Sequence, residues 1–328
     1  MIKQEAHAKI NLCLDVLYKR SDGYHEVRMV MQTLGLRDDV FLEPLAGTDG
    51  IELFSAEAEG TASDSEEAVR ESEPSEKSGP EAAPAHLDKS PALSEVPYNE
   101  DNLMYRAAAL MKETYGIREG VRLRLRKRIP VAAGLAGGSA DAAAVLRGMN
   151  ELFDLHAPLS ELQALGLRLG ADVPYCLLGG TALAEGIGEK LTALPKAPSC
   201  RVLLVKPAQG ISTGSVYGAL RVEERPAEAH PDVDGVLSAL QEKNIRRLCA
   251  RMGNILELAA EPMAPEISEI RSAIQRLGAV GARMSGSGPT VFGLFTDTAL
   301  LQEAAEAFRK GPLSHLAKDV IETAFHGI

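Results

Sequence analysis

The run PVAAGLAGGSADAAAVL, which starts at Pro130, constrains this chain more than any other segment. Before it, Val121–Arg128 (VRLRLRKR) alternates apolar and basic residues, the period-two pattern of a half-buried strand. After it, Asp141–Phe153 has the composition and spacing of a helix. Strand, glycine loop and helix in this order form an anion-binding arrangement. Gly134, Gly137 and Gly138 let backbone N–H groups approach a ligand with no Cβ in the way. Ser139 and Asp141 stand where the helix is expected to begin, and a helix N-terminus offers free N–H donors and a positive dipole end. The plainer alternative is a loop closed by a serine or aspartate cap; the strand before and the helix after favour phosphate. The run is not a Walker loop, because no Lys-Ser/Thr pair follows its last glycine, and it is not GxGxxG after a first strand. A cation for the phosphates must therefore come from elsewhere in the chain.

The chain's 328 residues are enough for two domains of ordinary size. Tryptophan is absent and aromatics make up 4%, so the core must be built from Leu, Val, Ile and Ala. Strands are expected at Ile10–Val16, Val27–Gly35, Asp39–Glu43, Arg201–Lys206, Val280–Ser285 and Thr290–Phe295, with a turn at Lys19–Tyr24 (KRSDGY). Helices are expected over Asn102–Tyr115, capped by Asp101 or Asn102, and over Leu159–Leu169 and Leu300–Lys310, with another inside Val233–Cys249. The mixture lacks a strict βαβ rhythm, so the expected class is α+β rather than a doubly wound sheet.

Ser55–Val96 is different in kind: rich in Glu, Ser, Ala and Pro and without an aromatic residue. Such a stretch buries too little apolar area to offset its chain entropy, so a disordered insertion inside the first domain is expected, with a domain linker as the alternative. It also carries most of the net charge of −11: its 11 acids and 3 bases give −8, leaving −3 for the rest. A near-neutral body has no global field that favours nucleic acid or a membrane surface. Cys13, Cys176, Cys200 and Cys249 are far apart, with no CxxC pair and no zinc spacing, which argues against a disulfide framework. Met1–His7 lacks a signal-peptide pattern and no run approaches the roughly 18 apolar residues of a membrane span. A cytoplasmic location is the expectation.

Three further pieces carry chemistry. In Gly170–Pro174 (GADVP), Asp172 reads either as a helix N-cap before a first-turn proline or as a carboxylate that accepts a hydroxyl proton. It can hold both positions only if one oxygen stays free. In Ala8–Asn11 (AKIN), Lys9 and Asn11 share one face of a strand. Lys9 is an ordinary surface lysine or, beside a buried aspartate, the cation that steadies a developing alkoxide. In Gly281–Pro289 (GARMSGSGP), Ser285, Gly286, Ser287 and Gly288 form either a wide hairpin loop or a second glycine-rich wall for a ligand.

These pieces in this order resemble the GHMP kinases, a superfamily with an N-terminal basic strand, a central phosphate loop and a C-terminal glycine loop. The likeness is carried by AKINL at Ala8–Leu12, DGYHEV at Asp22–Val27, PVAAGLAGGSADAA from Pro130, LGADVPYCLLGGTALAEGIGE at Leu169–Glu189 and GARMSGSGPTVFGLF at Gly281–Phe295. It runs from about residue 6 to about residue 325 except Ser55–Val96, and is strongest to the branch that phosphorylates CDP-methylerythritol. The resemblance implies two α+β domains, residues 1–160 and 161–328, with the site in the cleft between them. It implies Lys9 and Asp172 as the catalytic pair, Asn11 on the acceptor polyol, and Tyr24 and His25 around the cytosine base. Thr213 and Tyr217, in ISTGSVY, fit a hydroxyl contact and an aromatic lid over that base. ATP, with Mg²⁺ bridging its phosphates, would lie along Pro130, Val131, Ala132, Ala133, Gly134, Leu135, Ala136, Gly137, Gly138, Ser139 and Ala140. The metal's protein ligands stay unassigned. Two departures stand out: Ala136 and Ala140 occupy positions where glycine and serine are commoner, the first read as a mild steric change, and the Ser55–Val96 insertion has no catalytic role assigned. A homoserine- or mevalonate-type acceptor is the runner-up, disfavoured by Tyr24 and His25. An inactive nucleotide-binding protein is a third reading, disfavoured by Lys9 with Asp172.

Overall fold

The computed structural model of the chain describes residues 1–56 and 96–327. Among them, one seven-stranded sheet and one antiparallel four-stranded sheet organise the fold. The first sheet is built on two long strands, β1 (Ile2–Lys19) and β2 (His25–Leu45), joined by the tight turn at Arg20–Tyr24. Gly23 supplies the turn's left-handed residue, with φ 89°, and the Asp22 carboxylate accepts from the Tyr24 amide at 3.1 Å.

β2 is one strand where two were expected from the sequence. Asp38, in the gap between the two expected strands, is fully buried, and its carboxylate accepts from the amide of Ile129 at 2.8 Å. The strand continues through the gap. Its first half pairs with β5 (Thr181–Gly186) and its second half with β4 (Gly120–Arg126), which in turn pairs with β3 (Ile51–Ser55). β6 (Lys190–Ala193) extends the sheet beyond β5. β3 was not expected: it lies beside the acidic stretch, and Ser55, assigned from sequence to the insertion, is its last residue. Residues 57–95 of that expected insertion lie outside the described residues.

Helices α1 (Leu103–Tyr115) and α2 (Gly137–Leu152) pack on this sheet. Asn102 caps α1 by accepting from the Met104 amide at 2.9 Å, and Gly116 ends it in the left-handed conformation. The alanine-rich α2 lies so close to β2 that a Cβ on Gly148 would collide with Leu42. α3 (Leu159–Leu167) and the short α4 (Val173–Leu178) follow.

The second sheet has the order β11 (Asp319–Ala324), β7 (Arg201–Lys206), β10 (Val291–Phe295), β9 (Gly281–Met284). Helices α5 (Thr213–Leu220), α6 (Val233–Gln241) and α7 (Ile245–Arg251) lie between β7 and β8 (Gly253–Asn254) in the chain. α6 and α7 replace the helix expected inside Val233–Cys249. Beyond them come α8 (Glu257–Ala260), α9 (Glu266–Arg276) and α10 (Thr298–Arg309). β8 returns to pair in parallel with β1, so the second half of the chain closes onto the first sheet. Between the sheets lies an apolar core in which Ile10 and Leu12 of β1 meet Val202, Leu204, Phe292 and Leu294. Strand alternation then sends Lys9 and Asn11 to the opposite face. Among the described residues, no helix is long and apolar enough to cross a membrane.

Candidate active site

A cavity of about 900 Å³ opens on that opposite face. Its walls come from β1, the β1–β2 turn, the glycine loop, the start of α4, α5 and the loop after β9. Lys9 and Asn11 lie in the stretch of β1 bounded by register shifts at His7/Lys9 and Asn11/Cys13. Such irregularities re-aim side chains locally. The buried Lys9 ammonium donates to Asn11 Oδ1 at 2.9 Å and stands 3.4 Å from Asp172 Oδ2. Asp172 precedes α4, yet its side chain makes no cap hydrogen bond, so the carboxylate is not committed to the helix. It is 31% exposed against 5% for Lys9, so a buried cation meets a carboxylate open to a ligand.

The glycine loop begins its helix earlier than the sequence suggested. α2 starts at Gly137, so Asp141 lies inside the helix and neither Ser139 nor Asp141 caps it. The cap position is Ala136, in the left-handed conformation with φ 58°. Pro130 through Ser139 line the cavity; Ala140 turns into the core beneath α2. The Lys9 amide donates to the Leu135 carbonyl at 3.1 Å, which ties the loop to β1.

The second glycine loop meets the first. Ser285 Oγ donates to the Gly134 carbonyl at 3.0 Å. Gly286 and Ser287 reach the cavity, whereas Ser285 and Gly288 stand behind it. Across the cavity, His25 lies against Tyr217 with ring centroids 5.1 Å apart, and Tyr24 is exposed beside them. Thr213 and Ser287 share a hydroxyl hydrogen bond of 2.7 Å. Burial, and then the repulsion of Lys19, holds the His25 imidazole below its ordinary value. Burial, and then the Asp172 carboxylate, pushes the Tyr217 phenol up. Both rings are thus neutral around neutral pH.

A further part of the wall was not foreseen. Val96, Pro97, Asn102, Leu103 and Lys127 continue the cavity past the glycine loop. Lys127 lies between two buried carboxylates, 2.6 Å from Asp38 Oδ2 and 2.8 Å from Asp141 Oδ2. Burial opposes its charge, but Asp141 and Asp38 carry the ammonium above the ordinary lysine range. The alternating basic residues of Val121–Arg128 held the signal for Lys127; its buried partners, distant in sequence, did not. The cavity therefore offers a loop of backbone donors, a buried cation, a partly open carboxylate and a pair of neutral rings.

Two family models match the chain: the GHMP kinases N terminal domain over residues 102–180 and the GHMP kinases C terminal over residues 236–312. A 4-diphosphocytidyl-2-C-methyl-D-erythritol kinase of Acetivibrio thermocellus is 46% identical over 294 residues, 90% of each chain. The kinase of that name from Lachnospira eligens is 44% identical over 296 residues, 90% of this chain and 89% of its own length. A crystal structure titled as a 4-(cytidine 5'-diphospho)-2C-methyl-D-erythritol kinase superposes with a TM-score of 0.74 at 32% identity, covering 99% of this chain and 100% of that one.

Proposed function

This chain belongs to the GHMP kinases and, within them, to the 4-diphosphocytidyl-2-C-methyl-D-erythritol kinases, and from that premise we propose how its residues work. The reaction is ATP-dependent phosphorylation of the 2-hydroxyl of 4-diphosphocytidyl-2-C-methyl-D-erythritol, giving the 2-phosphate and ADP, in isoprenoid precursor biosynthesis by the non-mevalonate route. The observation that carries the residue roles is the contact of Lys9 with the Asp172 carboxylate, which makes no cap hydrogen bond, 3.4 Å away beside the glycine loop. The acceptor O–H gives its proton to Asp172 as the oxygen attacks the γ-phosphorus. The bond from that phosphorus to ADP breaks as the new one forms. Lys9, supported by Asn11, balances the charge that develops on the oxygen. Phosphoryl transfer asks chiefly for alignment and charge neutralisation, which this arrangement supplies without a covalent intermediate.

ATP lies with its phosphates along Pro130–Ser139, against the backbone donors of the loop and the start of α2. Mg²⁺ fits as a companion of the nucleotide. Among the described residues no three His, Cys, Asp or Glu side chains gather into a metal group, and Ser139, which lines the cavity, is the loop hydroxyl that would contribute to holding the ion beside the phosphates. When bound, the ion supplies charge neutralisation at the phosphates. The cytosine base lies between His25, Tyr24 and Tyr217, with Thr213 at its edge.

ADP release by purified protein, assayed with the CDP-linked polyol, homoserine and mevalonate, tests the acceptor. Turnover with the polyol is expected; turnover with another alcohol alone overturns the assignment. Asp172→Asn tests the chemistry: nucleotide affinity is retained and kcat falls by about 10²–10⁴-fold, the range of a positioned general base. Unchanged kcat removes Asp172 from the mechanism.

A further inference from the structure

We propose that Asn254 is a positioning residue that fixes the second glycine loop against the Lys9–Asp172 pair. The proposal rests on the kinase reading above. Asn254 is the second residue of β8, opposite Leu14 of β1, and the next amide, of Ile255, donates to the Leu14 carbonyl at 3.0 Å. Its place is therefore set by the strand that carries Lys9 and Asn11. The residue is 6% exposed and its side chain reaches into the turn after β9. There its Nδ2 donates to the Met284 carbonyl at 2.9 Å and to the Gly286 carbonyl at 2.8 Å. Its Oδ1 accepts from the Leu256 amide at 3.0 Å. Both N–H groups and the oxygen are used, and of the side chains of this size only asparagine offers two donors and an acceptor in one plane.

The carbonyl of Gly286 is the consequential partner. A Cβ built on Gly286 would lie 3.6 Å from both Lys9 Nζ and Asn11 Oδ1 and 3.1 Å from the Gly134 carbonyl oxygen. The loop thus rests on the catalytic lysine and on the phosphate loop together. Glu257, three residues beyond Asn254, accepts from the Met284 amide at 2.8 Å and holds the entry to the same turn. Asn254 itself does not line the cavity, so it acts through Gly286. Release of that carbonyl frees the loop beside Lys9 and loosens the alignment of the reacting groups.

Asn254→Asp tests this, because it keeps the shape and removes both donors. Steady-state kinetics should show kcat lower by about 10²-fold, the cost of a misplacement near 1 Å, with the KM values for both substrates changed far less. Burial against two carbonyls raises the pKa of the introduced carboxyl, and its protonated form regains one donor. The ratio of variant to wild-type kcat should therefore climb as the pH is lowered. Asn254→Ala, checked for folding by circular dichroism, should lose kcat without any such recovery. Hydrogen exchange of the peptide spanning Met284–Thr290 should be faster in both variants. Folded variants with kcat within twofold of wild type, or with exchange unchanged, overturn the proposal. A wild-type protein that does not phosphorylate the CDP-linked polyol overturns the kinase reading instead, and the exchange rates then decide the anchoring by themselves.

Discussion

Ala136 stands in the left-handed region with φ 58° at the cap of α2, where a Cβ costs about 1–2 kcal/mol. The sequence alone made it a mild steric change; the backbone makes it a strained one. Ala136→Gly should remove that strain while adding about 0.4–1 kcal/mol of unfolded-chain entropy. A net gain of about 0.5–1 kcal/mol is expected in urea unfolding, and a loss of stability would show that the Cβ is tolerated through contacts that offset the strain. His25 gives a second test. Burial first, and Lys19 second, lower its pKa, so the folded chain takes up this proton less readily than the unfolded chain. The stability contributed is therefore constant above the unfolded value, about 6.5, and falls as pH drops below it. If the ring holds the base as proposed, the acceptor KM should be flat through neutral pH and rise once the pH passes the lowered pKa. His25→Gln should flatten that rise in a KM–pH profile; an unchanged profile would assign the titration elsewhere. That Lys9, Asp172, Tyr24 and His25 share one cavity followed from the resemblance carried by the AKINL, GADVP and DGYHEV runs, since each run taken alone left a plainer reading open. Lys127 was not, because its two carboxylate partners come from β2 and α2 and only folding unites them.

The joint between the two glycine loops is decided by Gly134. Its φ is 71°, and a Cβ there would collide with the Ser285 carbonyl oxygen and lie 3.0 Å from that of Gly288. Gly134→Ala is expected to cost about 1–3 kcal/mol through backbone strain and overpacking. It should also lower kcat/KM for ATP by at least about tenfold, because the phosphate loop is displaced relative to Lys9. Thermal melts with initial-rate kinetics check both, and an unstrained, fully active variant would mean that the loops do not meet as described. Segment types were readable from periodicity: β7 was located to the residue and α1 to within one. The joints between segments were not. β2 was expected as two strands, Val27–Gly35 and Asp39–Glu43, and nothing local reveals that Asp38 between them is buried to receive the Ile129 amide. β3 was missed because its five residues gain their partner, β4, only across the acidic stretch. The expected division near residue 160 is crossed by the first sheet, whose β5 and β6 lie beyond it.

The described ends of the acidic stretch decide how it can be removed. Ser55 pairs with Leu125 in β3–β4, and the Ala56 amide donates to the Leu125 carbonyl at 2.9 Å. Val96 lines the cavity and packs against the α1–α2 core. A deletion of residues 57–95 closed by a short Gly/Ser link keeps all three, whereas the wider deletion of 55–96, drawn from composition alone, removes them. Loop-closure entropy changes by only about 0.6 kcal/mol for each halving of loop length, so the narrow deletion should shift stability by less than about 2 kcal/mol. The net charge moves from −11 to −3, since all 11 acids and 3 bases of the stretch lie within 57–95. That loss of charge lowers solubility near neutral pH but leaves the cavity's own charges in place. kcat within about twofold of the full chain is therefore expected for the narrow deletion. The wide deletion should raise the KM for ATP, because Val96 belongs to the same stretch of wall as Asn102, Leu103 and Lys127. Equal kinetics for the two deletions would separate Val96 from nucleotide binding. A large loss of kcat in the narrow one would show that the acidic stretch itself takes part in the reaction cycle.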